Sequence, residues 1–119
     1  MIFTVGEINI MATDLQRSLD FYSIVLGFTI KERGDGYVHL DCNGQPFTLF
    51  EFAKEGFKNY TYGDLPAISL DLTVDDLEEI VKHFIKFNVA FVQDWKPGDT
   101  HTYIYDPDRL VFEIIQKEH

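Results

Sequence analysis

A shift of 62 positions lays the second half of this chain over the first. Ile8 and Ile10 fall on Leu70 and Leu72, Thr13-Asp14-Leu15-Gln16 on Asp75-Asp76-Leu77-Glu78, and Leu19 and Tyr22 on Val81 and Phe84. With the same ungapped offset His39 meets His101, and Leu49-Phe50-Glu51-Phe52 meets Val111-Phe112-Glu113-Ile114. Identity between the halves is low, but the order of apolar, capping and acidic residues agrees. A repeat of this length implies one supersecondary unit used twice.

Each half alternates between two periodicities. Gly6 to Ala12 alternates as a strand does, with Ile8, Ile10 and Ala12 against Glu7, Asn9 and Met11. Thr13 with Gln16 has the form of a capping box, and Leu15, Leu19, Tyr22 and Leu26 follow at helical spacing until Gly27. Phe28 to Glu32, Tyr37 to Asp41 and Phe47 to Phe52 read as strands, separated by Gly34-Asp35-Gly36 and Asn43-Gly44 turns. Asp75 with Glu78 repeats the cap, and Leu77, Val81 and Phe84 repeat the helical stripe. The expected fold is therefore α+β, with two βαβββ modules of four strands each and the helices outside.

The chain of 119 residues has the size of a single domain with a substantial core. Module one takes about residues 1–58 and module two about 64–119. Between them Ala53 to Pro66 is the long irregular stretch, and its aromatics Phe57, Tyr60 and Tyr62 either pack on the nearest sheet or close over a ligand. A net charge of -10 opposes nucleic acid and anionic membranes, and no apolar run is long enough to span a bilayer. Cys42 is the single cysteine and has no base or cation beside it in sequence, so it reads as an inert filler. The N-terminus lacks a basic start and a long apolar core, which gives a cytoplasmic expectation.

The stretch Thr102 to Gln116 carries the clearest chemistry. Two strands flank an Asp106-Pro107-Asp108 turn, and alternation places Glu113 with Val111 and Ile115, opposite Phe112 and Ile114. A strand carboxylate is either solvated on the outside of a sheet or aimed into a site.

The segment INIMATDLQRSLDFYSIVLGFTI, Ile8 to Ile30, resembles the opening strand and helix of the vicinal oxygen chelate superfamily, which includes glyoxalase I, bleomycin resistance proteins and extradiol dioxygenases. The ending DPDRLVFEIIQ resembles the family's Asp-Pro-Asp-Gly-Asn followed by an acid, with Arg109-Leu110 replacing Gly-Asn. The resemblance implies a cupped eight-strand surface around a small-molecule site, and frequently a homodimer. In metal-dependent members four inner-strand side chains hold a divalent ion, one early and one late in each module. On this chain the early positions fall on Glu7 and Ser69, and the late ones on Glu51 and Glu113. For the first late position the family pattern also allows Thr48, whereas the ungapped repeat favours Glu51.

Serine is a poor ligand where the family usually places histidine, so the metal set is incomplete. Glu7, Glu51 and Glu113 would suit a hard cation such as Mg²⁺ or Mn²⁺, with His39 and His101 as second-choice ligands. Glu113 would then take the catalytic role in a lyase, isomerase or dioxygenase reaction. The leading expectation is a binding protein that sequesters a cationic or aromatic small molecule. Glu7, Glu51, Ser69 and Glu113 would line its site, and Trp95, Tyr103 and Tyr105 would supply stacking walls.

Overall fold

The computed structural model describes residues 1–56 and 61–118, arranged as two compact units, Met1–Gly56 and Phe57–His119. The first unit contains β1 (Ile8–Met11), α1 (Leu15–Asp20), a π-helical turn (Phe21–Val25), β2 (Thr29–Gly34), β3 (Tyr37–Cys42) and β4 (Gln45–Phe50). The second contains β5 (Leu70–Val74), α2 (Leu77–Lys86), β6 (His101–Tyr105) and β7 (Val111–Gln116). Among the described residues no helix is long and apolar enough to cross a membrane.

In the first unit the sheet order is β1-β4-β3-β2, with β1 parallel to β4 and the other pairs antiparallel. One face of this sheet is apolar: Ile10, Val38, Leu40, Phe47 and Leu49 are all buried. The helical segment adds Leu19, Phe21 and Tyr22 to the same core, where the Phe28 ring lies 5.6 Å from Tyr22 and 4.9 Å from Phe47. Gly27 takes a φ of 74°, the left-handed conformation that ends a helix without a Cβ clash.

The second unit repeats the plan in shorter form. Its sheet order is β5-β7-β6, again with a parallel first pair. Leu77, Val81 and Phe84 bury one side of α2, and Ile104, Phe112 and Ile114 are buried on the strands. Three strands and an isolated bridge between Phe91 and Ile104 replace the expected four strands, so the described ladders do not form an eight-strand surface. The segment before β6 pairs only briefly: Tyr105 donates to Ala90 O at 2.9 Å and Val92 to Tyr103 O at 3.0 Å. Past it, Pro97 and Gly98 belong to a loop that leaves the ladder.

Both helix caps sit one residue later than the capping-box pattern predicts. Asp14 accepts from Arg17 N at 3.1 Å, and Asp76 accepts from Glu79 N at 3.2 Å. Aspartate is the stronger N-cap, which displaces Thr13 in the first helix, and in the second helix the cap is Asp76, the later of two adjacent aspartates. The Asp-Pro-Asp turn is held by Asp106, whose Oδ1 accepts from Asp108 N at 2.9 Å and Leu110 N at 2.8 Å. Arg109 there has a φ of 70°, a left-handed conformation that glycine adopts freely.

Candidate functional site

The strand ladders revise the correspondence between the halves. In the first unit Asn9 pairs with Thr48 and His39 also pairs with Thr48. In the second Asp71 pairs with Glu113 and Tyr103 also pairs with Glu113. Asn9 and Asp71 keep the offset of 62, but Thr48, not Glu51, is the structural counterpart of Glu113, and Tyr103, not His101, that of His39. The cause is chain length. Two strands joined by Asn43-Gly44 in the first unit are joined by the five residues Asp106 to Leu110 in the second, and the segment before β6 is longer as well.

Glu51 therefore has a different partner from the one the ungapped repeat suggests. Its Oε2 accepts from Leu15 N at 2.7 Å, at the start of α1. Gln116 does the same in the second unit, where its Oε1 accepts from Leu77 N at 2.7 Å at the start of α2. Each satisfies one of the amide donors that a helix leaves open at its N-terminus. Alternation contained the signal, since Phe47, Leu49 and Glu51 share parity, as do Phe112, Ile114 and Gln116.

On the polar side of the first sheet the side chains form a chain of hydrogen bonds. Thr48, fully buried, donates to Glu7 Oε2 at 2.9 Å, and His39 Nδ1 lies 2.7 Å from the Thr48 hydroxyl. The His39 ring also contacts Tyr37, with centroids 5.0 Å apart. Beside this chain is an open pocket of about 330 Å³, lined by Glu7, Lys31, Glu32, His39 and Asp41 with apolar surface from Pro46 and Phe47.

In the second unit Glu113 and Tyr103 form the corresponding pair. Burial, followed by the Glu113 carboxylate, pushes the Tyr103 phenol above its ordinary range; smaller contributions come from Tyr62, a hydrogen bond to Glu113, and Asp71. Tyr62 donates to Ser69 Oγ at 2.7 Å, and its ring lies 5.9 Å from that of Tyr103. Ser69 directly precedes β5 as Glu7 precedes β1. Asp71, Thr48 and Tyr62 belong to these clusters without having been leading candidates from sequence.

The other candidates are more peripheral. His101 is exposed at the start of β6, edge-on to Tyr103 at 5.8 Å. Tyr105 carries the Arg109 guanidinium 4.3 Å above its ring. Trp95 sits in the loop before β6, its indole N–H donating to Asp99 O at 3.1 Å. Phe57 and Tyr60 lie outside the described residues. Burial, with Asp41 adding to it, raises the Cys42 thiol, which keeps it from being a ready nucleophile.

Within each unit the donors fit a divalent metal poorly. Thr48 and Ser69 are neutral hydroxyls, each tied to another side chain. Among the described residues no three His, Cys, Asp or Glu side chains gather as a metal cage requires.

The sequence model of the glyoxalase/bleomycin resistance protein/dioxygenase superfamily matches residues 4–114. The chain belongs to this superfamily. A bleomycin resistance protein from Geobacillus stearothermophilus is 25% identical over 121 residues, covering 87% of this chain and 89% of that protein. The fosfomycin resistance protein FosX from Mesorhizobium loti superposes with a TM-score of 0.79 at 16% identity, over 99% of this chain and 94% of its own. A lactoylglutathione lyase from Agrobacterium tumefaciens gives 0.68 at 22% identity, over 95% and 92%. At such identities the two structures establish the superfamily fold for this chain, and with it a scaffold used by both resistance proteins and enzymes.

Proposed function

We propose that this protein binds a small cationic or aromatic molecule and sequesters it without chemical change. The observation that carries the proposal is the composition of the four positions where metal-dependent relatives place ligands. Each unit supplies one carboxylate and one hydroxyl, Glu7 with Thr48 in the first and Glu113 with Ser69 in the second, where Tyr62 lies beside Ser69 and Tyr103 beside Glu113. Carboxylates with aromatic neighbours suit an organic cation through charge and cation–π attraction, and they need no metal to do so. In the second unit Ser69, Tyr103 and Glu113 are the proposed ligand contacts, with Tyr105 and Trp95 as outlying aromatic walls, and Glu7 is the proposed contact of the first unit. The resemblance to a bleomycin resistance protein supports a bulky cationic drug as one member of the ligand class.

The working form under this proposal is a cytoplasmic homodimer. Support comes from the single cysteine and from an exposed apolar N-terminal segment, Met1, Ile2, Phe3 and Val5, available for burial against a second copy. Sedimentation equilibrium showing a monomer at micromolar concentration would remove the dimer from the proposal.

A thermal-shift screen of bleomycin and smaller cationic aromatics tests the function, because a ligand that binds only the native state raises Tm by mass action. Elemental analysis of the same purified protein tests the alternative of a metal-dependent lyase, isomerase or dioxygenase. Stoichiometric Mn, Fe, Ni or Zn lost on Glu113→Ala substitution would replace the sequestration reading with the enzymatic one.

A further inference from the structure

The hydrogen-bond chain in the first unit assigns a tautomer. Thr48 has a single hydroxyl proton, and its oxygen lies 2.9 Å from Glu7 Oε2 and 2.7 Å from His39 Nδ1. A carboxylate only accepts, so the Thr48 proton goes to Glu7, and the contact with His39 is satisfied only if Nδ1–H donates to Thr48. A neutral imidazole with its proton on Nδ1 leaves Nε2 with an unshared pair. Thr48 is fully buried, and the Tyr37 ring packs beside the imidazole at 5.0 Å, so the ring is held from two sides.

His39 lines the pocket of about 330 Å³, whose charged residues are Glu7, Glu32, Asp41 and Lys31. Three acids against one base leave two formal negative charges in excess. An acceptor nitrogen in such a setting is complementary to a group that carries both positive charge and N–H bonds. The volume equals roughly ten waters at ~30 Å³ each, room for an amine with one ring and too little for a whole glycopeptide. We infer that His39, fixed by Thr48 and Glu7, presents Nε2 as the acceptor for a protonated amine or amidinium seated in this pocket. The inference rests on the cation-binding function proposed above and adds which kind of cation the first unit selects.

The test has two parts. Long-range proton–nitrogen correlation on ¹⁵N-labelled protein at mildly alkaline pH reads the tautomer directly. The expected spectrum has His39 protonated on Nδ1 and bare on Nε2, and Thr48→Val shifts the proton toward Nε2. An Nε2–H tautomer in the unsubstituted protein, or a Thr48→Val spectrum that does not change, overturns the assignment whatever the binding data show.

Binding is then measured with benzylammonium and benzyltrimethylammonium, which share a charge and a ring but differ in N–H donors. The expected result is about tenfold tighter binding of benzylammonium, the size of one hydrogen bond to a charged group, with a shift of the His39 Nε2 resonance on saturation. In His39→Leu that preference disappears. Equal affinity of the two cations in the unsubstituted protein overturns the inference and leaves the cation-binding function standing. Failure of both to bind overturns the inference, and the cation-binding function is then decided by its own titration with bleomycin.

Discussion

Replacing Glu51 separates a structural role from a ligand-binding one. The carboxylate accepts from Leu15 N at 2.7 Å, and the first turn of α1 carries no acidic residue of its own. Losing a side-chain acceptor at a helix N-terminus costs about 1 kcal/mol, and losing the favourable charge on the helix dipole costs about 0.3–1 kcal/mol. Glu51 is exposed, so solvent screens the charge component. A net loss of about 1 kcal/mol follows for Glu51→Ala. At about 2.1 cal/mol/K of unfolding entropy per residue, this lowers Tm by about 4 °C for a chain of this size. Glu51→Gln keeps an acceptor in place, as Gln116 does at the second helix, and costs less than half as much. Urea denaturation and calorimetry at neutral pH measure the loss, and a ligand titration on the same variant completes the comparison. Unchanged stability together with weakened ligand binding would refute the helix-anchoring role and return Glu51 to the site.

Leu49→Ala empties a fully buried position between β1 and β3, and a loss of about 2–5 kcal/mol is expected in urea unfolding. Tyr103 holds its proton more tightly in the folded state, so its contribution to stability is complete below about pH 10, the unfolded value, and is lost as pH rises through the raised folded value. Tyr103→Phe should abolish that part of the alkaline destabilisation, and its phenolate absorbance should be missing from the late phase of an alkaline titration. Arg109→Gly exchanges relief of a left-handed backbone, about 1 kcal/mol, for loss of the guanidinium over Tyr105, about 0.5–1 kcal/mol. Its unfolding free energy should stay within about 0.5 kcal/mol of the parent chain.

Alternation and capping made most of the first unit legible in the sequence. Phe28, Tyr37 and Phe47 each start within two residues of a strand boundary, and Gly27 ends the helical segment with the backbone angle glycine permits. What a constant offset could not convey was loop length. Parity along β4 tells which face Thr48 and Glu51 take, but the pairing of Thr48 with His39 is set by the two-residue Asn43-Gly44 turn, and the pairing of Glu113 with Tyr103 by a five-residue one. Glu51 looked like the partner of Glu113 because both are acids between apolar residues. Alternation puts Glu51 on the face of Phe47 and Leu49, but the helix N-terminus it serves is 36 positions away in sequence, and parity does not name that partner. The weak strand before β6 has a similar cause, since Val89, Ala90 and Phe91 have strand composition but only a short pairing with β6.

The central claim is that the carboxylate of Glu113 helps to hold an organic cation without a metal. Calorimetric titration of the parent chain and of Glu113→Ala with metal-free bleomycin, in the presence of a chelator, tests it most directly. The expected result is sub-millimolar binding by the parent chain and about tenfold weaker binding by the variant, the loss of one charge-assisted contact. Absence of binding by the parent chain, or equal binding by both, would contradict the claim.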